Sequence, residues 1–185
     1  MATLSAATPA LDRLRPREQS DLLPELLARH PEIAETLETL ALTRIRDVEA
    51  DGTAGRLAAR LRDLPLDELA ARAGKHPGTY VHETDAAYEI VIEALAPFEE
   101  DLWRASDLQL GEVARTILAG IVAGLYRCHD ARDGTVLAYA GPDTPGEHAA
   151  WLVRQALDAG IDLDPDEVES RCPDWTLHTD GLLWN

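Results

Sequence analysis

Four residues of zinc-ligand type fall in one stretch of the chain: Cys128 and His129 side by side, then His148, then Cys172. Zinc needs thiolate and imidazole donors converging as a tetrahedron, and sequences that supply them usually deliver two from one tight turn, as Cys-x-x-Cys or His-x-x-x-His. Neither spacing occurs, and Cys172 follows His148 by 24 residues. The expectation is no metal, with both thiols packed as small hydrophobes. Asp130-Ala131-Arg132-Asp133-Gly134 opens like a calcium loop, yet it supplies two carboxylates and lacks the closing Glu, so it reads as a solvated turn.

Glu99, Glu100 and Asp101 form a run of carboxylates just beyond Pro97. Carboxylate pairs do acid–base work when they share a pocket in unlike environments. A consecutive run at a helix start is accounted for by the positive end of the macrodipole, and that is the role expected here. His30, His76, His82, His129, His148 and His178 are scattered, Ser106 has no Gly-rich elbow around it, and no glycine loop follows a strand. These features offer no nucleophile, no phosphate cradle and no cofactor site.

Binding chemistry remains. Arg44, Arg46, Arg56, Arg60 and Arg62 gather in one region, with Arg56 and Arg60 on one helical face. Arg44, Arg56 and Arg60, together with Trp175 and Trp184 of the tail, are the candidate partner-binding residues. Asp47, Glu49 and Asp63 interleave with the arginines, so a solvated mixed-charge surface is the simpler reading of that cluster.

Charge narrows the partner. Acidic residues outnumber basic ones 34 to 17, for a formal charge of -17, and a polyanion of that size repels phosphate backbones unless a basic patch is segregated. Nucleic acid is therefore not an expected partner. The acidity is uneven: twelve Asp and Glu stand against three Arg between Asp130 and Asn185, while seven basic residues face six acidic between Ala41 and Lys75. Two cysteines are too few for a disulfide framework and no charged-then-apolar leader opens the chain, which points to the cytoplasm. The most apolar run, Ile117 to Tyr126, has ten residues where a bilayer span needs about 20. It is expected to be a buried helix, with no membrane partner.

The elements that must position these residues are helical hairpins. Ser20 to Thr43 reads SDLLPELLARHPEIAETLETLALT, two amphipathic helices joined at His30-Pro31. Ser20 is the expected cap, and Leu22, Leu23, Leu26, Leu27 and then Ile33, Leu37, Leu40 recur at helical spacing, each set a stripe to be buried. Asp51-Gly52 reads as a turn with Thr53 capping the next helix, and Pro65 opens another that ends at Gly74. Thr84 is expected to cap a helix carrying Ala87, Ile90, Val91, Ala94 and Leu95, which Pro97 breaks or kinks. The longest helix is expected from Leu108 to Tyr126. Thr144 and Glu147 form a capping box for a helix turning Ala150, Trp151, Val153 and Leu157 inward, with Gly160 past its end. In the tail, Asp180-Gly181 favours a hairpin turn.

The motif LLPELLARHPEIAETLETLAL, the helix pair Asp85 to Arg127, the HDARDG turn and the helix near Trp151 together resemble the uncharacterised helical region that follows the zinc-binding SWIM motif in bacterial proteins. The SWIM element itself, Cys-x-Cys followed by Cys-x-His, is absent. The resemblance implies a helical, solenoid-like interaction module and leaves that family's zinc outside this chain.

The expected architecture is all-α: helical hairpins packed as an irregular bundle or a short HEAT-like solenoid, with a small C-terminal β-hairpin or an extended tail. Residues 1–19 are expected to be flexible, 20–170 to form the helical domain and 171–185 a docked tail. The expected function is non-enzymatic binding of a protein or peptide partner. Two other readings stand beside it: an acidic regulator mimicking nucleic-acid charge, and a small enzyme or metal protein using Cys128 to Cys172. The oligomeric state is not legible.

Overall fold

A computed structural model describes residues 13–130, 134–178 and 181–184. The chain divides into two compact units, Met1–Arg46 and Asp47–Asn185. The stretch 20–170, read as one domain, is thus split after Arg46, and the tail belongs with the second unit. The physical reason lies in burial. Every buried apolar side chain among the described residues falls between Ala50 and Trp175.

The first unit is a helical hairpin: α1 (Pro16–Arg29), a 3-10 turn (Pro31–Ile33) and α2 (Ala34–Arg46). Helix α1 begins inside the segment expected to be flexible. Pro16 occupies its first turn and Glu18 accepts the Arg15 N–H at 2.8 Å. Ser20 is not the cap; its hydroxyl donates back to the Pro16 carbonyl at 3.0 Å. His30 ends α1 as expected, its N–H donating to Leu26 O at 2.8 Å. Neither helix buries a residue, so the two leucine stripes are not the buried seams the spacing suggests. Leu27, Ile33 and Leu37 are half-buried, while Leu22, Leu23, Leu26 and Leu40 stand exposed.

The second unit is built on α3 (Ala50–Arg62) packed along α6 (Gly111–Tyr126). Asp51-Gly52 is the first turn of α3 rather than a loop, and Glu49, not Thr53, precedes the helix. Close approach explains the small residues in both helices. A Cβ on Gly120 would meet the Thr53 Cβ at 2.6 Å and the Ala50 carbonyl at 2.8 Å; one on Gly124 would meet Leu57 Cδ2 at 2.9 Å. From Ile117 to Leu125 every residue of α6 is buried, as its all-round apolarity requires. Helix α4 (Leu66–Arg72) follows α3. A hairpin of β1 (Gly74–His76) and β2 (Thr79–Val81) comes next, turning at Pro77 and Gly78, whose φ of 85° matches the proline-then-glycine order of a type II turn.

Helix α5 (Glu83–Asp107) is the longest element and runs through Pro97, so of the break or kink expected there the break does not occur; it starts one residue before Thr84. Ala87, Ile90, Val91, Ala94 and Leu95 are buried as expected, and the packing of α5 against α6 and the helix Val136–Ala140 outweighs the hydrogen bond that proline deletes. Leu110, with Gln109 at φ 58° just before it, separates α5 from α6, so no helix spans Leu108 to Tyr126. After α7 (Val136–Ala140), Gly141 at φ 118° turns the chain into α8 (Thr144–Asp158), and Gly160 at φ 79° follows its end. Helix α9 (Pro165–Arg171), capped by Asp164, leads to the antiparallel hairpin β3 (Trp175–His178) and β4 (Gly181–Trp184). The expected Asp180 turn and the Asp133 half of the Asp130 turn lie outside the described residues. The fold is all-α with two small hairpins, and no described helix is long and apolar enough to cross a membrane.

Candidate functional site

A cleft of about 430 Å³ opens between α5 and α8. From α5 it takes Tyr88, Ile92 and Glu99, and from α8 Thr144, Glu147, His148 and Trp151. The spacings are helical. Tyr88, Ile92 and Glu99 stand four and seven residues apart and so share one face, and Thr144, Glu147, His148 and Trp151 repeat at three and four. Each helix therefore buries one face in the core and offers another to the cleft.

The floor is a polar pair. His148 Nε2 lies 2.6 Å from Glu99 Oε1, with side-chain exposures of 6% and 17%. A carboxylate only accepts, so Nε2 carries the proton and donates it. The walls are aromatic: Trp151, 50% exposed, stands 5.3 Å from the His148 ring, and Tyr88 is 48% exposed. Glu147, exposed at the rim, is the second carboxylate.

Glu99 is not in a first helical turn. With α5 unbroken it sits beyond the helix middle, so the macrodipole does not account for it, and its partner is a histidine 49 residues away. Sequence spacing carries no trace of that pair. Trp151, expected inward, stands in the cleft instead, because Ala149, Leu152, Val153 and Ala156 form the buried face of α8. Thr144 is the first residue of α8 rather than its cap, and its hydroxyl donates to the Ala140 carbonyl at 2.9 Å.

A carboxylate holding a histidine is two thirds of a hydrolytic triad. The third member is missing from the geometry among the described residues: Thr144 commits its proton to Ala140, and no thiol lines the cleft. Cys128 and Cys172 are each 1% exposed. The Cys128 Sγ–H points to Ala58 O at 3.8 Å. Burial raises both thiols above their ordinary value, Cys172 to about 12 against the pull of Arg171 and Arg127, so neither is a thiolate near neutrality. No group of three or more His, Cys, Asp or Glu among the described residues is arranged to hold a metal ion.

The other candidates are dispersed. Arg44 lies on α2 in the first unit; Arg56 and Arg60 lie exposed on α3 in the second, Arg56 donating to Thr53 Oγ1 at 3.2 Å. Trp175 is 3% exposed and belongs to the core, its ring edge-on to Tyr126 at 5.3 Å, while His129 stacks on Tyr126 at 4.7 Å. The Tyr126 hydroxyl donates to Asp174 at 3.0 Å, tying the residue before β3 to the end of α6. The side chain of Trp184 lies outside the described residues. Asp51 Oδ1 receives Arg127 and Arg171, each at 2.9 Å, and joins α3 to α9 and to the residue that follows α6.

Comparison with protein-family models, with curated proteins and with solved structures finds no match to this chain.

Proposed function

We propose that the protein is a non-enzymatic interaction module that takes a peptide segment of a protein partner in the cleft between α5 and α8. The observation that carries this reading is the pair of half-exposed aromatic side chains, Trp151 and Tyr88, facing one cleft over the Glu99–His148 floor. Aromatic anchors beside a few fixed polar groups are the composition of protein-binding hot spots and ligand clefts, and 430 Å³ lies within the usual range of about 300 to 1,000 Å³. The likeness to the helical region after SWIM motifs leads to the same kind of module. The surface charges weigh against mimicry of nucleic acid: Arg72 sits between Glu68 and Glu93, Arg115 between Glu112 and Asp162, and Arg127 and Arg171 on Asp51, so acidic residues are broken up by cations.

A random peptide library displayed on phage and panned against the full chain tests the proposal. The expected result is an enriched set of peptides that binds the natural protein and is lost on W151A, a half-exposed position, with the far-ultraviolet circular dichroism of the variant unchanged. No enriched set, or a set that binds W151A equally well, overturns it.

A further inference from the structure

We infer that the cleft between α5 and α8 is an arginine-binding site, occupied by an arginine side chain of the bound segment. This inference rests on the cleft reading above and adds the chemistry of its occupant. Three features of the lining converge on a planar cation with an apolar stem.

Charge comes first. Among the described residues the lining carries two carboxylates, Glu99 on the floor and Glu147 on the rim, and no arginine or lysine. The imidazole of His148 turns its Nε2 proton onto Glu99, so it orients that carboxylate without occupying the opening. In a chain of net charge -17 such a lining attracts cations and repels acidic segments. Next come the walls. Trp151 and Tyr88, each about half exposed, line the cleft from opposite helices, and an aromatic face attracts a cation held within about 6 Å of its centroid. Ile92 adds an apolar surface for methylene groups. Finally, shape selects among cations. A guanidinium is flat, stacks on an indole and offers a rigid fork of N–H donors to carboxylates, whereas an ammonium is a strongly hydrated point charge.

The probe is the tripeptide acetyl-Leu-Arg-Leu-amide, compared with the same peptide bearing citrulline, which keeps the shape of arginine and removes its charge. Binding is read from the indole N–H resonance of Trp151 in the full chain, assigned by its disappearance in W151F. The expected result is a saturable shift with the arginine peptide and binding at least about tenfold weaker with citrulline. E147Q, at an exposed position, should weaken the arginine peptide at least about threefold and leave the citrulline peptide unchanged. Raising salt from 50 to 500 mM, a change that shortens the screening length severalfold, should weaken arginine binding alone. Equal binding of both peptides overturns the arginine assignment while the cleft reading stands. Library peptides that need Trp151 but carry no arginine do the same. A shift confined to the other tryptophan resonances overturns the assignment as well.

Discussion

His148 Nε2 lies 2.6 Å from Glu99 Oε1, and this bond joins α8 to α5 across 49 residues of sequence with both side chains largely out of water. The pair fixes the depth and the charge of the cleft floor. Removing the imidazole strands a carboxylate whose hydration was given up on folding, so H148A should lose about 1 to 3 kcal/mol in urea unfolding. E99Q keeps an acceptor oxygen in place and should lose less than H148A. The double mutant H148A/E99A should fall short of the sum of the single changes by at least about 0.5 kcal/mol. Strict additivity would mean that the two groups do not stabilise each other.

The approach of α3 to α6 makes a second, sharper prediction. A methyl group on Gly120 has no room, since Thr53 and the Ala50 carbonyl stand under 3.0 Å from its position. G120A should therefore cost about 1 to 3 kcal/mol, the range for forcing extra volume into a packed interior. Gly111, the first residue of the same helix, has nothing within 4 Å of the equivalent position. G111A should be neutral or stabilising by up to about 1 kcal/mol, through loss of freedom in the unfolded chain. Equal effects of the two changes would show that α3 does not seat against Gly120.

What the sequence reveals and what it hides follow from the range of each signal. Helix α6 is legible because ten buried residues in one helix leave a mark on composition itself, and Leu118 and Ile121, within the run expected to be buried, are both fully buried. Helix α8 is legible from its proline, its capping-type residues and its closing glycine, all local features. Pro97 and Asp51-Gly52 mislead for one reason: each is a local breaker inside a helix held by distant packing, Pro97 by the contact of α5 with α6 and Gly52 by that of α3 with α6. The cleft is hidden in the same way. Glu99 has an adequate local explanation as long as Pro97 ends a helix, and only the unbroken helix turns it toward His148. Trp175 shows the converse error, since an aromatic residue in a polar tail looks available, whereas contact with Tyr126 and His129 buries it.

The two units differ in what holds them. All buried apolar residues among those described lie in Asp47–Asn185, and α1 and α2 bury none. A fragment comprising residues 47–185 should therefore fold cooperatively, with a urea midpoint close to that of the full chain. A hairpin of two helices is marginal in water, so residues 1–46 alone should give little helical signal in far-ultraviolet circular dichroism. A fragment 47–185 lacking a cooperative transition would place part of its stability in the first unit.

The buried thiols predict a loss of stability at alkaline pH. Burial raises Cys172 from 9.0 to about 12 and raises Cys128 in the same direction. The phenol of Tyr126 also rises, through burial and then its bond to Asp174. In each case the native state keeps a proton that the unfolded chain releases first, so the unfolded state binds fewer protons and stability falls as pH rises. For Cys172 the contribution is complete below pH 9 and is lost between about 9 and about 12, with a slope of at most about 1.4 kcal/mol per pH unit. Urea unfolding at pH 7, 9 and 10.5 should show the natural chain weakening across the last interval. C172A carries a constant packing cost but lacks this proton, so its curve should be flatter above pH 9. A thiol reagent applied at pH 8 should label neither cysteine in the native state and both after unfolding, because both side chains are buried. Parallel pH curves for the two proteins, or rapid native labelling of Cys172, would show that this thiol is not held protonated by the packing around it.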